Sequence, residues 1–432
     1  AAARPIAGGQ RRRGHQPVMP VCPASNPLFT PGQTHQNVNK SWGALESIAT
    51  EREEVAMDDE AHVSLEVYFG DMPDPRVTGR CDHKLIDIII VAICAVLSGA
   101  ETWDEVELFG EEREGWLKQF LELPNGIPSH DTFRRVFSLL DARVFQERFI
   151  GWVEQTFQVK REQVIAIDGK SVRGSQGQGK GCLHLVSAWA TAEGVALGQR
   201  KVEAGENEIV AIPDLLADLY LKGSIVTLDA IGCQTEIAAH IIAQRADYVL
   251  ALKTNQPKLH QDVVDWFAWA QERDFRDVEH TYAQTVNKGH GRIEIRQCWA
   301  LSDPRALEVL GHHEGWRKLT SLVMVQRERR HGDRSQTETA YFISSLPPDA
   351  DRLLRAVRHH WRIENTLHWV LDVIFHEDDA RLRIGHGAEN FAILRRMVLN
   401  LLRRHPAKLS LKRKRFKAAL DTDFLFELLT QV

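Results

Sequence analysis

One short run constrains the chain more than any other: Val164-Ile165-Ala166-Ile167-Asp168, four consecutive apolar residues that stop on a carboxylate before Gly169 and Lys170. An unbroken apolar run of this length reads as a strand covered on both faces, which leaves its last residue at the carboxyl edge of a sheet. Further strands are predicted at Cys182–Thr191 and Val195–Ala204, turned into a hairpin at Glu193-Gly194. A helix follows at Asn207–Tyr220, with Pro213 near its first turn, then a strand at Ser224–Asp229, a helix at Thr235–Ala246 and a strand at Asp247–Lys253. Three antiparallel strands followed by helix, strand, helix and strand is the order of a ribonuclease H-like α/β sheet. In that order Asp168 and Asp229 both stand at strand carboxyl ends.

Two carboxylates so placed suggest metal chemistry. Phosphodiester cleavage by hard divalent cations needs two ions about 3.5–4 Å apart, one to activate the attacking oxygen and one to steady the leaving one, both held by oxygen ligands. Asp168 and Asp229 lie 61 positions apart. The third ligand should come from a helix over the same sheet edge. The strongest candidate is Glu364 in His359-His360-Trp361-Arg362-Ile363-Glu364-Asn365, 135 positions after Asp229. Two strand-end aspartates and a helical glutamate would make the triad of a polynucleotidyl transferase that holds two Mg²⁺ or Mn²⁺ ions.

Each acid also has an ordinary reading. A strand-ending Asp caps the next turn, and a helical Glu among arginines forms a surface ion pair. Joint placement on one strand order is what favours chemistry. Asp372, about two turns beyond Glu364, is an alternative third carboxylate. A rival reading takes His360, Glu364 and His368, spaced i, i+4 and i+8, as the zinc ligands of a hydrolase. The HExxH and CxxC patterns are missing, however, and Trp361 and Trp369 crowd that helix. Cys233 and Gln234 read as packing and turn residues, and His290 and His386 as surface or turn residues.

The remaining chain frames this centre. Residues 1–45 carry no acid, include Arg11-Arg12-Arg13 and lack apolar periodicity, so residues 1–60 read as a disordered arm, with Met57 a candidate natural start. Residues 61–158 read as a helical domain, in which Leu85, Ile88, Ile89, Ala92, Ala95 and Val96 recur at helical spacing. Ser129 there caps a helix bearing Arg134 and Arg135, a pattern similar to a DNA-reading helix-turn-helix. Residues 159–404 read as the catalytic domain, interrupted at about 257–347 by a β-rich insertion with strands near Arg292–Ala300, Lys318–Arg327 and Thr339–Ser345. Helical periodicity resumes at Ala350 and runs through Leu402, and 405–432 form a basic C-terminal segment.

The longest apolar run, Ile88–Leu97, has ten residues, half of the ~20 a membrane-spanning helix needs, so no membrane partner is expected. Six scattered cysteines without CxxC spacing indicate neither a disulfide framework nor a zinc ribbon and fit a reducing cytoplasm. The net charge of −5, from 54 basic and 59 acidic residues, speaks at first against nucleic acid. That figure is an average. Residues 390–420 hold ten Lys and Arg and no acid, among them Arg395, Arg396, Lys412, Arg413, Lys414 and Arg415. Such a run reads as a track for the phosphate backbone. Lys170, Arg173 and Lys180 after Asp168, Lys253 and Lys258 after the fifth strand, and Arg358 and Arg362 near Glu364 are further candidate DNA contacts.

Eight strings stand in order along this stretch: YFGDMPDPR (68–76), HKLIDIIIVAICAVLSGAETW (83–103), LPNGIPSHDTFRRVF (123–137), AIDGKSVRGS (166–175), LDAIGCQ (228–234), DYVLALKTNQ (247–256), HGRIEIR (290–296) and HHWRIENTLHWVLDVIFHEDDARLR (359–383). With them, residues 63–404 resemble the bacterial insertion-sequence DDE transposases of the ISAs type, the group that includes the H-repeat-associated proteins. The resemblance implies a ribonuclease H-like catalytic domain with a β-strand insertion, preceded by a helical transposase-associated domain. It also implies Asp168, Asp229 and Glu364 as divalent-metal ligands, double-stranded DNA as partner, strand cleavage and strand transfer, and a homo-oligomer on DNA in the bacterial cytoplasm and nucleoid. A decayed, DNA-binding remnant is the alternative. One departure stands out: related transposases carry an Arg four residues before the Glu and a Lys seven after it, and here those places hold His360 and Leu371. Arg358 or Arg362 is then left to supply the cation.

Overall fold

The computed structural model describes residues 65–430 apart from 78, 80, 158–162, 178–180, 277, 290, 304, 306, 308–314 and 333. The expectations for the N-terminal arm, Met57, Lys180 and His290 lie outside the described residues.

The N-terminal part is helical, with Leu65–Phe69 (α1), Leu85–Leu97 (α2), Trp103–Leu117 (α3), His130–Leu139 (α4) and Ala142–Phe157 (α5). Residues Ile88 to Leu97 of α2 are all buried, which explains why its apolar pattern runs right round the helix. In α4 the Ser129 hydroxyl accepts from the Thr132 N–H, as its N-cap role requires. Phe133, Val136 and Phe137 face inward, Phe137 stacking on Trp103 with ring centroids 4.7 Å apart, so Arg134 and Arg135 are left outward. The helix-turn-helix expectation is not met: α3 and α4 are joined by residues 118–129, where that motif has a turn of about 3–4 residues.

The chain then enters the sheet through Val164–Val172 (β1), Leu183–Ala190 (β2) and Val195–Val202 (β3), followed by Glu208–Asp218 (α6), Ile225–Leu228 (β4), Thr235–Ala243 (α7) and Asp247–Leu252 (β5). These agree with the predicted elements to within a few residues. The insertion opens on an unforeseen helix, Pro257–Glu272 (α8), before His280–Gly289 (β6), Arg292–Leu301 (β7), Ser321–His331 (β8) and Arg334–Ser344 (β9). Among the described residues the nine strands form one sheet in the order β3-β2-β1-β4-β5-β9-β8-β7-β6. β1, β4 and β5 run parallel, β2 and β3 antiparallel on one side, and β9 pairs antiparallel with β5 on the other.

Helices close the chain: Ala350–His360 (α9), a π-helical turn at Glu364–His368, Trp369–Val373 (α10), Gly387–Arg404 (α11), Leu411–Leu420 (α12) and Thr422–Thr430 (α13). The helical stretch expected from Ala350 through Leu402 is therefore interrupted.

The basic run 390–420 is not an exposed track, and four of its expected DNA contacts are corrected. Arg395 and Arg396 are 2% and 0% exposed on α11, where Arg396 pairs with Glu377 at 3.1 Å and the Arg395 guanidinium lies over the Phe391 ring. Lys414 and Arg415 of α12 are 5% and 6% exposed. Lys414 Nζ donates to the carbonyls of Leu402 (2.7 Å) and His405 (2.6 Å), and Arg415 Nη2 donates to that of Val96 (3.1 Å). These cations close the carboxyl ends of α11 and α2, where unpaired carbonyls and the helix dipole attract positive charge. Lys412 and Arg413 remain exposed.

Candidate active site

The parallel ladder between β1 and β4 ends with Ile167 opposite Leu228. The next residue on each strand, Asp168 and Asp229, therefore stands at the same level of the sheet's carboxyl edge, on chains about 4.8 Å apart. β1 does not stop at Asp168 as expected. It continues to Val172, paired with β2 alone, so the carboxylate marks the end of the parallel ladder instead. Asp229 opens the loop to α7, and its Oδ1 accepts from the N–H groups of Ile231 (3.0 Å) and Gly232 (3.3 Å). Gln256 pins that loop by donating to the Cys233 carbonyl at 3.1 Å. Cys233 is itself fully buried, its thiol pushed up by burial, in keeping with a packing role.

Glu364 begins the π-helical turn and is exposed. Histidines on either side of it sit over the strand ends. His359 Nδ1 lies 3.2 Å from Thr191 Oγ1 just after β2, His360 Nδ1 lies 3.1 Å from Thr227 Oγ1 on β4, and His368 Nδ1 lies 3.6 Å from Asp168 Oδ2. Burial pushes both His360 and His368 down to about 4, so these contacts are made by neutral rings. The residue in the family's Arg place is thus an uncharged strut, and Leu371, in the Lys place, is fully buried.

Asp168 carries the electrostatic signature of the site. Burial, then the charge of Asp229, push its carboxyl up to about 7, with Glu208 and Glu364 adding to the rise and the Gly169 N–H at 3.0 Å opposing it. Lys170 does not relieve this repulsion. Its ammonium is 8% exposed and contacts Asp372 Oδ1 (2.8 Å), Asp378 Oδ1 (2.9 Å) and Glu377 Oε2 (3.4 Å). Lys170 is therefore corrected from a phosphate contact to a buried tie between β1 and the 372–378 segment. The same contact engages Asp372 and disfavours it as the third acid.

Arg173, Lys253, Lys258, Arg358 and Arg362 are exposed. Lys253 follows the end of β5, at the same sheet edge as the acids. Arg173 lies 3.5 Å from Asp378, and Arg362 Nη1 lies 3.5 Å from the Thr191 carbonyl. Arg134 and Arg135 line a separate cavity of about 450 Å³ with Asp131 and Ile384. His386 precedes α11 and is exposed, as expected. One acid was not foreseen: Glu208, at the start of α6, whose Oε1 lies 2.7 Å from His184 Nε2. Both line a cleft of about 990 Å³ that also reaches Ile231 and Arg383.

Two family models match the chain, one described as DDE_Tnp_1-associated over residues 67–153 and one as Transposase DDE domain over residues 147–401. The chain belongs to the DDE transposases. This transposase is 41% identical over 370 residues to an Escherichia coli O157:H7 protein named as transposase YncI, covering 85% of this chain and 94% of that one. It is 38% identical over 375 residues to the H repeat-associated transposase YhhI of E. coli K12, covering 85% and 96%. A K12 protein named inactive transposase YbfQ is 52% identical over 66 residues, 15% of this chain and 79% of that one. A piggyBac transposase in a synaptic complex with hairpin DNA aligns over 90% of this chain and 77% of its own at 11% identity and a TM-score of 0.38, too loose a likeness to carry an argument. The family match agrees with the resemblance read from the eight strings and with the ribonuclease H-like α/β fold.

The family implies divalent metal, and the donor set fits it. Asp168, Asp229 and Glu364 offer hard oxygen ligands, and their mutual repulsion is a negative charge that Lys170 leaves unbalanced. Among the described residues no three His, Cys, Asp or Glu side chains close round one point, so Asp168, Asp229 and Glu364 are not gathered into a finished metal site here. The same holds for His360, Glu364 and His368; the Nδ1 atoms of the two histidines engage Thr227 and Asp168, and the family match favours the DDE reading over the zinc one.

Proposed function

We propose that this transposase cleaves DNA strands at the ends of an insertion sequence and joins them to a target, with Asp168, Asp229 and Glu364 holding two Mg²⁺ or Mn²⁺ ions. The observation that supports this most is the register that levels Asp168 with Asp229 at the carboxyl edge of β1 and β4. When bound, the ions supply the Lewis acidity that activates water and then a 3′-hydroxyl for attack on phosphorus. The protein contributes rigidity: two acids leave a sheet, and the third rides on a helix fixed by His359 and His360. Arg173, Lys253, Arg358 and Arg362, all exposed, bind phosphates of double-stranded DNA in this reading, and Arg134, Arg135, Lys412 and Arg413 extend the contact. Two element ends must meet for transposition, which calls for a homo-oligomer on DNA, working at the nucleoid in the cytoplasm. Among the described residues no helix is long and apolar enough to cross a membrane.

The test is strand cleavage of DNA carrying the native flanking repeats, with and without Mg²⁺. Wild-type protein is expected to cut only with the metal, and Asp168→Asn, Asp229→Asn and Glu364→Gln to bind DNA without cutting. An Asp168→Asn or Asp229→Asn protein that still cuts overturns the proposal. A wild-type chain that binds the ends and never cuts supports the decayed remnant instead.

A further inference from the structure

We propose that Glu208 is a fourth carboxylate ligand of this metal centre and that His184 is the residue that positions it. The proposal rests on the reading of Asp168 and Asp229 as metal ligands.

Glu208 is the first residue of α6, and the helix start is fixed by Asn207, whose Oδ1 accepts from the Ile209 N–H at 3.0 Å. Its carboxylate lies against the backbone of β1 immediately beyond Asp168. A Cβ built on Gly169 would stand 2.0 Å from Glu208 Oε1 and 2.4 Å from its Cδ, closer than any side chain can approach. Residue 169 therefore has to be glycine for the carboxylate to occupy this cradle beside Asp168.

A hydrogen-bonded chain holds Glu208 there. Ser171 of β1 and His184 of β2 are register partners, and Ser171 Oγ lies 2.8 Å from His184 Nδ1. With the hydroxyl donating to Nδ1, the imidazole proton sits on Nε2 and is donated to Glu208 Oε1 at 2.7 Å. This is the arrangement by which a metal ligand is oriented from behind: one oxygen is tied to an imidazole N–H, and the other is left for the cation. The pair is also reachable, since His184 and Glu208 are 30% and 15% exposed and line the 990 Å³ cleft.

A structural role accounts for less of this. The dipole of α6 favours any acid at its start. That alone requires neither the cradle at Gly169 nor the His184 tie, and a glutamine would accept the same hydrogen bond without adding a further negative charge to those of Asp229 and Glu364 that act on Asp168. Repulsion among such charges is costly unless a cation is shared by them.

The experiment reads metal binding directly, on the full chain without DNA, by titrating Mn²⁺ and following the loss of the free-ion electron paramagnetic resonance signal. Glu208→Gln is expected to weaken Mn²⁺ binding at least on the order of ten-fold, and His184→Ala by about ten- to a hundred-fold, with unfolding midpoints in EDTA held near wild type. His184→Gln, whose amide can still donate to Oε1, is expected to recover part of the loss. His184→Ala keeps the Glu208 side chain and removes only its tie, so wild-type Mn²⁺ affinity in that variant overturns the proposal by itself should Glu208→Gln fail to fold. Wild-type Mn²⁺ affinity in both Glu208→Gln and His184→Ala, with binding lost in Asp168→Asn, overturns this proposal and leaves the metal centre standing. Wild-type binding in Asp168→Asn as well overturns the metal centre itself.

Discussion

Replacing Asp168 by asparagine should make the metal-free protein more stable, and the gain should depend on pH. In the folded chain this carboxyl is pushed up to about 7 by burial and by Asp229, against an ordinary value of 3.8. The folded state thus binds the proton more tightly than the unfolded state does. Stability is complete below about pH 4, declines as pH rises towards 7, and is flat above that. At about 1.4 kcal/mol per pH unit between the two values, the loss has a ceiling of about 4 kcal/mol at pH 8. The side chain is 20% exposed, and water reaching it lowers the effective repulsion, so a gain of about 1–3 kcal/mol is expected for Asp168→Asn. At pH 5 less than half of that gain should remain. Urea unfolding in EDTA at pH 5, 6.5 and 8, followed by tryptophan fluorescence, measures it. If Asp168 is a metal ligand, added Mg²⁺ should then stabilise wild type and leave Asp168→Asn unmoved, since a ligand that binds only the folded state stabilises it. A variant no more stable than wild type at pH 8, or a gap that ignores pH, would refute the account of strained, mutually repelling acids.

The buried pair Arg396–Glu377, both side chains 0% exposed, should be costly to break: Arg396→Met leaves Glu377 short of a partner and loses about 3–5 kcal/mol in urea unfolding. By contrast, Lys412→Ala with Arg413→Ala should leave stability within about 0.5 kcal/mol of wild type. If these two cations contact phosphates, the same double variant lowers the salt dependence of DNA binding by about one per charge, measured by affinity against salt concentration. Phe137→Ala empties a core site stacked on Trp103 and should cost about 3–5 kcal/mol by thermal or urea unfolding. Gly385→Ala should be harmful out of proportion to its size, because φ is +50° and a Cβ would stand 2.2 Å from the Ser138 carbonyl; a melting temperature equal to wild type would contradict that geometry.

The central sheet was legible because β1, β4 and β5 are apolar on both faces and stand out as uninterrupted runs. α8 was hidden: its buried stripe, Leu259, Val263, Phe267 and Ala270, lies among polar residues in a region whose later strands dominate the pattern. β6 was hidden for the opposite reason, since nearly all of it is exposed and it has no buried face to announce. The basic run misled because a charge count cannot tell a lysine facing solvent from one closing a helix end, as Lys414 does. At the site, the sequence could offer both Glu364 and Asp372, and the choice between them turns on Lys170, which is distant in the chain and adjacent in space. Glu208 left no local signal at all, because its meaning depends on His184, 24 residues earlier, and on a glycine in another strand.

The π-helical turn at Glu364–His368 sets the phase of everything that follows it. Such a turn accommodates one residue more than an α-helical turn would, and each residue of an α-helix advances the chain by about 100°. Upstream, His359 and His360 dock on the strand ends; downstream, Val370 and Leu371 are sunk in the core. A single-residue deletion between these two anchors would give a smooth helix with every backbone bond satisfied, and no more than one of the anchors could keep its place. The chain is therefore far less tolerant of a one-residue length change here than of many substitutions, and a copy that had lost one codon in this turn would encode a folded sheet with Glu364 or the core residues after it turned out of place.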